Sequence, residues 1–142
     1  MTSTDSDLRA LFDARAAAVW DKDIDRLLAV YAADVVYFDV VPGLRYVGAA
    51  ALRDRFLHWF STYKSPIGQN ARDIAIDASG DLAVAHMLIH ASGTLAVGRD
   101  VAFWVRVTDA CRRTDGRWLI THEHVSLPVD LQAGKPALDL TP

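Results

Sequence analysis

Apolar residues recur every three or four positions through the first third of the chain. Leu8, Leu11, Phe12, Val19 and Trp20 share one helical spacing, and the Asp, Ser and Thr residues at positions 4 to 7 suit a cap and first turn. Ile24, Leu27, Leu28 and Tyr31 restart the spacing, so a helix break is expected around Asp21–Asp23. The segment VVYFD reads as a short strand of β-branched and aromatic residues, and VVPGLRYVG as a loop punctuated by Pro42, Gly43 and Gly48. A third helix is expected over roughly Ala49 to Tyr63, where Leu52, Phe56, Phe60 and Tyr63 form one stripe.

From about Arg72 the period shortens to two. RDIAID ends at the turn signal SGD, and LAVAHMLIHASGTL reads as one long strand. It turns back through Val97–Gly98 into RDVAFWVRVTDACRRT, and Asp115–Gly116 is a hairpin signal leading into RWLITHEHVS. Helices first and a long antiparallel meander afterwards predict an α+β domain with its helices on one sheet face. Residues 1–130 are expected to form a single domain, with 131–142 as a C-terminal tail where Gly and Pro appear and periodicity ends.

The two turns set a register. With Asp115–Gly116 and Val97–Gly98 as two-residue loops, Asp109 lies opposite both His86 and His122, with His124 and His90 on the same face. Phe103, Val105, Val107, Trp118 and Ile120 would complete that face, the more apolar one and so the one covered by helices. Trp104, Arg106 and Glu123 would point outward, where an Arg–Glu pair beside a Trp suits a homodimer contact. A one-residue bulge in either hairpin would exchange the faces.

Composition narrows the partners. Hydrophobic residues make up 51% of the chain and charged ones 23%, as in a globular protein. A net charge of −3 offers no electrostatic footprint for nucleic acid or an anionic membrane, and no apolar run is long enough to span a bilayer. The polar, acidic start MTSTDSDLRA resembles neither a signal nor a transit peptide, so a cytoplasmic protein is expected. Cys111 is the single cysteine, which excludes an intrachain disulfide and any multi-cysteine zinc site, and its mid-strand place suits a structural role. There is no Gly-rich phosphate loop, zincin helix or nucleophile elbow. His86, Asp109 and His122 come from different strands without a compact ligand motif, so neither a metal nor a cofactor is expected.

The segments DIDRLLAVYAADVVYFDVVPGLRYVGAAALRDRF, VAFWVRVTDACRRTDGRW and LITHEHVS resemble the SnoaL-like branch of the nuclear transport factor 2-like superfamily. The resemblance covers roughly residues 8 to 128. It implies a cone-shaped α+β fold, in which a curved mixed sheet wraps around N-terminal helices over a deep pocket, with dimers through the outer sheet face. Relatives include ketosteroid isomerases, polyketide cyclases, dehydratases, epoxide hydrolases and the association domains of calmodulin-dependent kinases. Asp39 stands five residues after Asp34 and nine before Gly48, which matches the general-base aspartate of ketosteroid isomerases. Their oxyanion-hole tyrosine falls near Arg15, where this chain has no tyrosine, and their second aspartate near Thr108 or Asp109.

The candidate catalytic residues are therefore Asp39 as base, with His122 and His124 oriented by Asp109 as proton donors. Tyr37, Phe56, His86, His90, Phe103 and Trp118 are candidates for the pocket wall. A carboxylate between imidazoles fixes their tautomers and raises their basicity. Such a set suits isomerisation, cyclisation or dehydration of a small apolar carbonyl compound. Two plainer alternatives stand beside this: a buried polar network that only satisfies itself, and a non-catalytic ligand-binding or oligomerisation domain of the same fold.

Overall fold

The computed structural model describes residues 2–142. Helix α1 (Ser3–Trp20) starts where the Thr2 side chain accepts the Asp5 N–H. It stops before Lys22, whose φ of 51° no helix continues. Asp23 caps α2 (Ile24–Leu28) by accepting the Arg26 N–H, so the break falls where the sequence places it. Tyr31 differs from expectation: it opens strand β1 (Tyr31–Phe38) instead of extending the helix. Its neighbour Val30 accepts a hydrogen bond from Ile120, and this sheet pairing overrides the helical spacing.

The expected loop after β1 contains a short strand, β2 (Tyr46–Val47), antiparallel to β1. Helix α3 (Ala49–Ser61) follows, and Tyr63, expected at its end, bridges to Leu95 instead. Then come β3 (Gly68–Ser79), β4 (Leu82–Thr94), β5 (Asp100–Thr114) and β6 (Arg117–Ser126). The six strands form one mixed sheet in the order β2-β1-β6-β5-β4-β3, with β1 and β6 parallel and the other pairs antiparallel. A small ribbon, β7 (Val129–Asp130) with β8 (Lys135–Pro136), lies outside it. The α+β class with N-terminal helices on a curved sheet is as the sequence predicts.

Helix α1 packs on β3 and β6, and α3 on β1. Leu8, Leu27, Val35, Leu52, Ile67 and Ile120 are wholly buried between helices and sheet. Each contributes roughly 1.5–3 kcal/mol relative to an exposed side chain. Among the described residues no helix is long and apolar enough to cross a membrane.

Two details of register overturn the expected histidine row. The β4–β5 turn is not a two-residue loop: Thr94 pairs with Asp100, and Leu95 donates its N–H to the Arg99 carbonyl within the loop. This shifts β4 by one residue, so Ala85 rather than His86 faces Asp109. The Asp115–Gly116 hairpin does hold the predicted register, Thr114 opposite Arg117, as far as Cys111 opposite Ile120. The ladder then slips, and Ala110 pairs with His122 and Asp109 with Glu123. Thr121 is the extra residue of this bulge.

The inner row is consequently Ala85–Asp109–Glu123, and the outer row His86–Thr108–His124. His86, His90, His122 and His124 all lie on the outer face, and Glu123 points inward rather than toward a second subunit.

Candidate functional site: a buried arginine between two carboxyl groups

Arg15 lies in α1 on the same stripe as Leu8, Phe12 and Val19, at the spacing that faces the sheet. Its Nη1 donates to Asp109 Oδ2 at 2.7 Å and to Glu123 Oε1 at 2.6 Å, and its Nη2 reaches Met87 Sδ at 3.4 Å. Arg15, Asp109 and Glu123 are 6%, 0% and 4% exposed, so water does little to support these charges. The Tyr31 hydroxyl donates to the same Glu123 Oε1 at 3.1 Å. The sheet makes the meeting possible, because Asp109 and Glu123 are directly opposed across the β5–β6 ladder.

One guanidinium here serves two carboxyl groups. Burial raises the Glu123 pKa, Arg15 pulls it back and Asp109 pushes it up again, leaving it at about 8. Burial alone would lower that of Arg15, but Asp109, Glu123 and Tyr31 raise it well above its ordinary value. The phenols of Tyr31 and Tyr37 are held well above their ordinary values by burial and then by Glu123. At neutral pH the cluster therefore presents a protonated carboxylic acid beside neutral phenols and a fixed cation. Asp109 Oδ1 is buried with no hydrogen-bond partner.

Glu123, Arg15, Tyr31 and Tyr37 line a cavity of about 90 Å³, well above the ~10–15 Å³ that one water needs. Asp109 stands behind it. Phe56, Trp59, Phe103 and Val105 supply apolar wall. A second ion pair borders the cavity: Arg55 Nε donates to Asp39 Oδ2 at 2.8 Å, and Asp39 Oδ1 accepts the Val40 N–H at 2.7 Å. Asp39 follows directly on β1, whose end aims it inward.

Of the residues chosen from sequence, the fold brings Asp39, Tyr37, Phe56 and Phe103 to this cavity, with Asp109 behind Glu123. His122 and His124 are not part of it. His122 donates its Nδ1–H to the Val36 carbonyl at 2.7 Å, which leaves Nε2 without the proton in the neutral ring. Both imidazoles pack edge-on against Phe38, at 4.7 and 5.4 Å between centroids. His90 packs against Trp104 with the rings tilted, and His86 is exposed. Trp118 is buried away from the cavity, under the Arg113 guanidinium at 5.3 Å. Arg106 binds Ser126 Oγ rather than Glu123. Cys111 is buried, and burial followed by Asp109 pushes its thiol up to about 12, so no thiolate is available. Among the described residues no three His, Cys, Asp or Glu side chains gather as a metal site.

Sequence reasoning missed Arg15 and assigned Glu123 to the wrong face. The signal for Arg15 is its position on an otherwise apolar stripe, 8, 12, 15, 19. For Glu123 it is a change of parity, because Trp118 and Ile120 are even-numbered inward residues and Val125 is odd.

The model of the SnoaL-like domain matches residues 8–130. An NTF2-like protein of unknown function from Pseudomonas putida KT2440 is 30% identical over the whole of both chains, with a TM-score of 0.88. A protein provisionally named an aromatic ring hydroxylase, from Novosphingobium aromaticivorans, is 27% identical over 84% of this chain and 85% of its own, with a TM-score of 0.77. A provisionally named dehydratase of the NTF2-like family from Streptomyces avermitilis is 17% identical over 85% of this chain and 93% of its own; at a TM-score of 0.75 it shares the fold. No curated protein matches the chain.

Proposed function

We propose that this chain, which belongs to the SnoaL-like domain family, performs acid–base chemistry on a small apolar molecule bearing a carbonyl: isomerisation, cyclisation or dehydration. One observation carries the reading: a single cavity holds the Asp39 carboxylate together with Glu123, a carboxyl whose pKa is pushed to about 8. Two carboxyl groups whose environments differ this much divide naturally into a base and an acid. Asp39 takes the proton from the carbon next to the carbonyl. Glu123, with Tyr37, donates to the carbonyl oxygen as negative charge develops there. Asp109 touches no substrate in this scheme; it positions Arg15 and Glu123. His122 and His124 have no part in it.

The test follows hydrogen–deuterium exchange at the acetyl methyl of 4-methylacetophenone in D₂O by NMR. Asp39→Asn and Glu123→Gln are each expected to slow the enzyme-dependent exchange at least ~100-fold. Equal exchange in both variants and the parent protein would falsify the mechanism.

A non-catalytic ligand-binding role is the second reading, favoured by one observation: both Asp39 oxygens already have partners, Arg55 and the Val40 N–H. Recovery of a bound compound chemically unaltered after long incubation supports this role. For the outer sheet face we propose a homodimer contact around Trp104 and Arg106, which no helix covers. Trp104→Glu is expected to halve the mass measured by sedimentation equilibrium, and an unchanged mass removes the idea.

A further inference from the structure

A second pocket adjoins the cavity at the seam between α1 and β3. It is about 270 Å³, with Asp13 and Ala16 of α1 on one side and Asn70, Ala71 and Ile74 of β3 on the other. Arg15, Gln69 and Ile89 border both this pocket and the main cavity, so the two spaces are one side chain apart. The members of this partition differ in freedom. Arg15 is tied to Asp109 and Glu123, and Ile89 is packed in the core. Gln69 is half-buried on the inner face opposite Ala91, an uncharged amide among apolar neighbours.

The backbone of β3 explains why the seam is open. Its ladder with β4 is regular to Arg72 and resumes at Ala75, with Asp73 between them at a φ of 55°. That left-handed conformation is uncommon for a residue other than Gly, Asn or Asp. A bulge bends its strand and re-aims neighbouring side chains, and β3 is an edge strand with only one partner to restrain it. The pocket lies between α1 and this interrupted stretch of β3.

The charges indicate what could extend into it. Arg55 is matched by Asp39, and Arg15 by two carboxyl groups of which Glu123 keeps its proton near neutrality. Among the residues that line the two spaces no cation is left over to hold an anionic group; Arg9, which lines neither, donates its Nη2 to the Ile74 carbonyl. On the seam side, Gln69 offers an amide donor and acceptor and Asp13 an acceptor, while the Asn70 side chain shares the outer face with His90.

Building on the proposed ketone-binding role of the main cavity, we infer that the seam is the second half of the ligand site. It takes an uncharged polar substituent, a hydroxyl or amide on a short chain, that passes beside Gln69. Gln69 thereby becomes a specificity-determining residue, because its amide would meet whatever crosses the partition.

Two probes test this: 4-methylacetophenone and 4-(3-hydroxypropyl)acetophenone, bound to the full chain and followed by NMR chemical shifts. Both are expected to shift amides of the cavity wall. Only the hydroxypropyl compound should shift Asn70 and Ala71, and it should bind about tenfold tighter, the value of one hydrogen bond well made. Ala71→Trp fills the seam from an exposed position, and Gln69→Leu removes the amide; each should abolish the tenfold gain. Equal affinities for the two probes in the parent protein, or a gain that survives Ala71→Trp, would overturn the seam assignment while leaving the ketone cavity standing. Failure of both probes to shift any cavity residue would overturn the ketone reading and the seam with it.

Discussion

Two arginines meet carboxyl groups at this cavity, and the two meetings differ in count and in depth. Arg55 pairs with Asp39 alone, one charge against one, at side chains 12% and 9% exposed. Arg15 lies deeper and faces both Asp109 and Glu123. The one-to-one pair needs no proton to balance it. The one-to-two cluster carries an uncompensated negative charge unless a proton stays, and burial makes keeping it the cheaper solution. Stoichiometry, more than the identity of any single residue, separates the proton donor from the carboxylate in this pocket.

The contrast can be broken most forcefully from the deeper side. Arg15→Met leaves Asp109 and Glu123 facing each other without a cation. It is expected to cost about 3–5 kcal/mol of stability in urea denaturation. A loss below ~1 kcal/mol would show that the cluster does not hold its charges as described.

The second way uses pH. The folded-state pKa of Glu123 is raised, so between about 4.5 and 8 the folded chain holds a proton that the unfolded chain has released. Glu123 therefore favours folding most at low pH and loses that contribution as pH rises through this window, by ~1.4 kcal/mol per unit. Glu123→Gln removes the dependence. The stability of the variant relative to the parent protein should rise steadily from pH 5 to 8, measured by denaturation at each pH. A flat difference would assign the proton elsewhere.

Arg55→Leu gives the smallest effect. Asp39 keeps the Val40 N–H, so a loss of no more than ~2 kcal/mol is expected. A loss matching that of Arg15→Met would erase the distinction between the two sites.

Much of the fold was legible in the chain, and the reasons are local. The helix break around Asp21–Asp23, the helical stripe of Leu52, Phe56 and Phe60, and the Asp115–Gly116 turn each carry their own instruction, while the first cap falls at Thr2 rather than at positions 4 to 7. The inward set of β5, Phe103, Val105, Val107 and Asp109, follows from alternation alone. The site was less legible because it depends on register between strands. In β4 both alternating sets contain apolar residues, Ala85 and Met87 against Val84 and Leu88, so burial could not choose between them without the turn. The bulge at Thr121 has no glycine or proline to announce it. Asp39 was chosen by its family-like spacing, and it reaches the cavity because its place depends on the end of one strand; Glu123 was misplaced because its place depends on a slip against another.

Strand β6 is in effect written in two reading frames joined at Thr121. Upstream, even positions face the core, and downstream, odd ones do. Removing Thr121 would keep the glutamate inward and the two imidazoles outward in an unbroken alternation, whereas closing the bulge with all ten residues kept would turn the imidazoles toward the cavity and the glutamate toward solvent. The same ten letters thus encode two different walls, an acid one and a basic one, separated by a single slip of register. In this fold a change of chemistry can arrive by a change of phase, with no change in any of the residues that perform it.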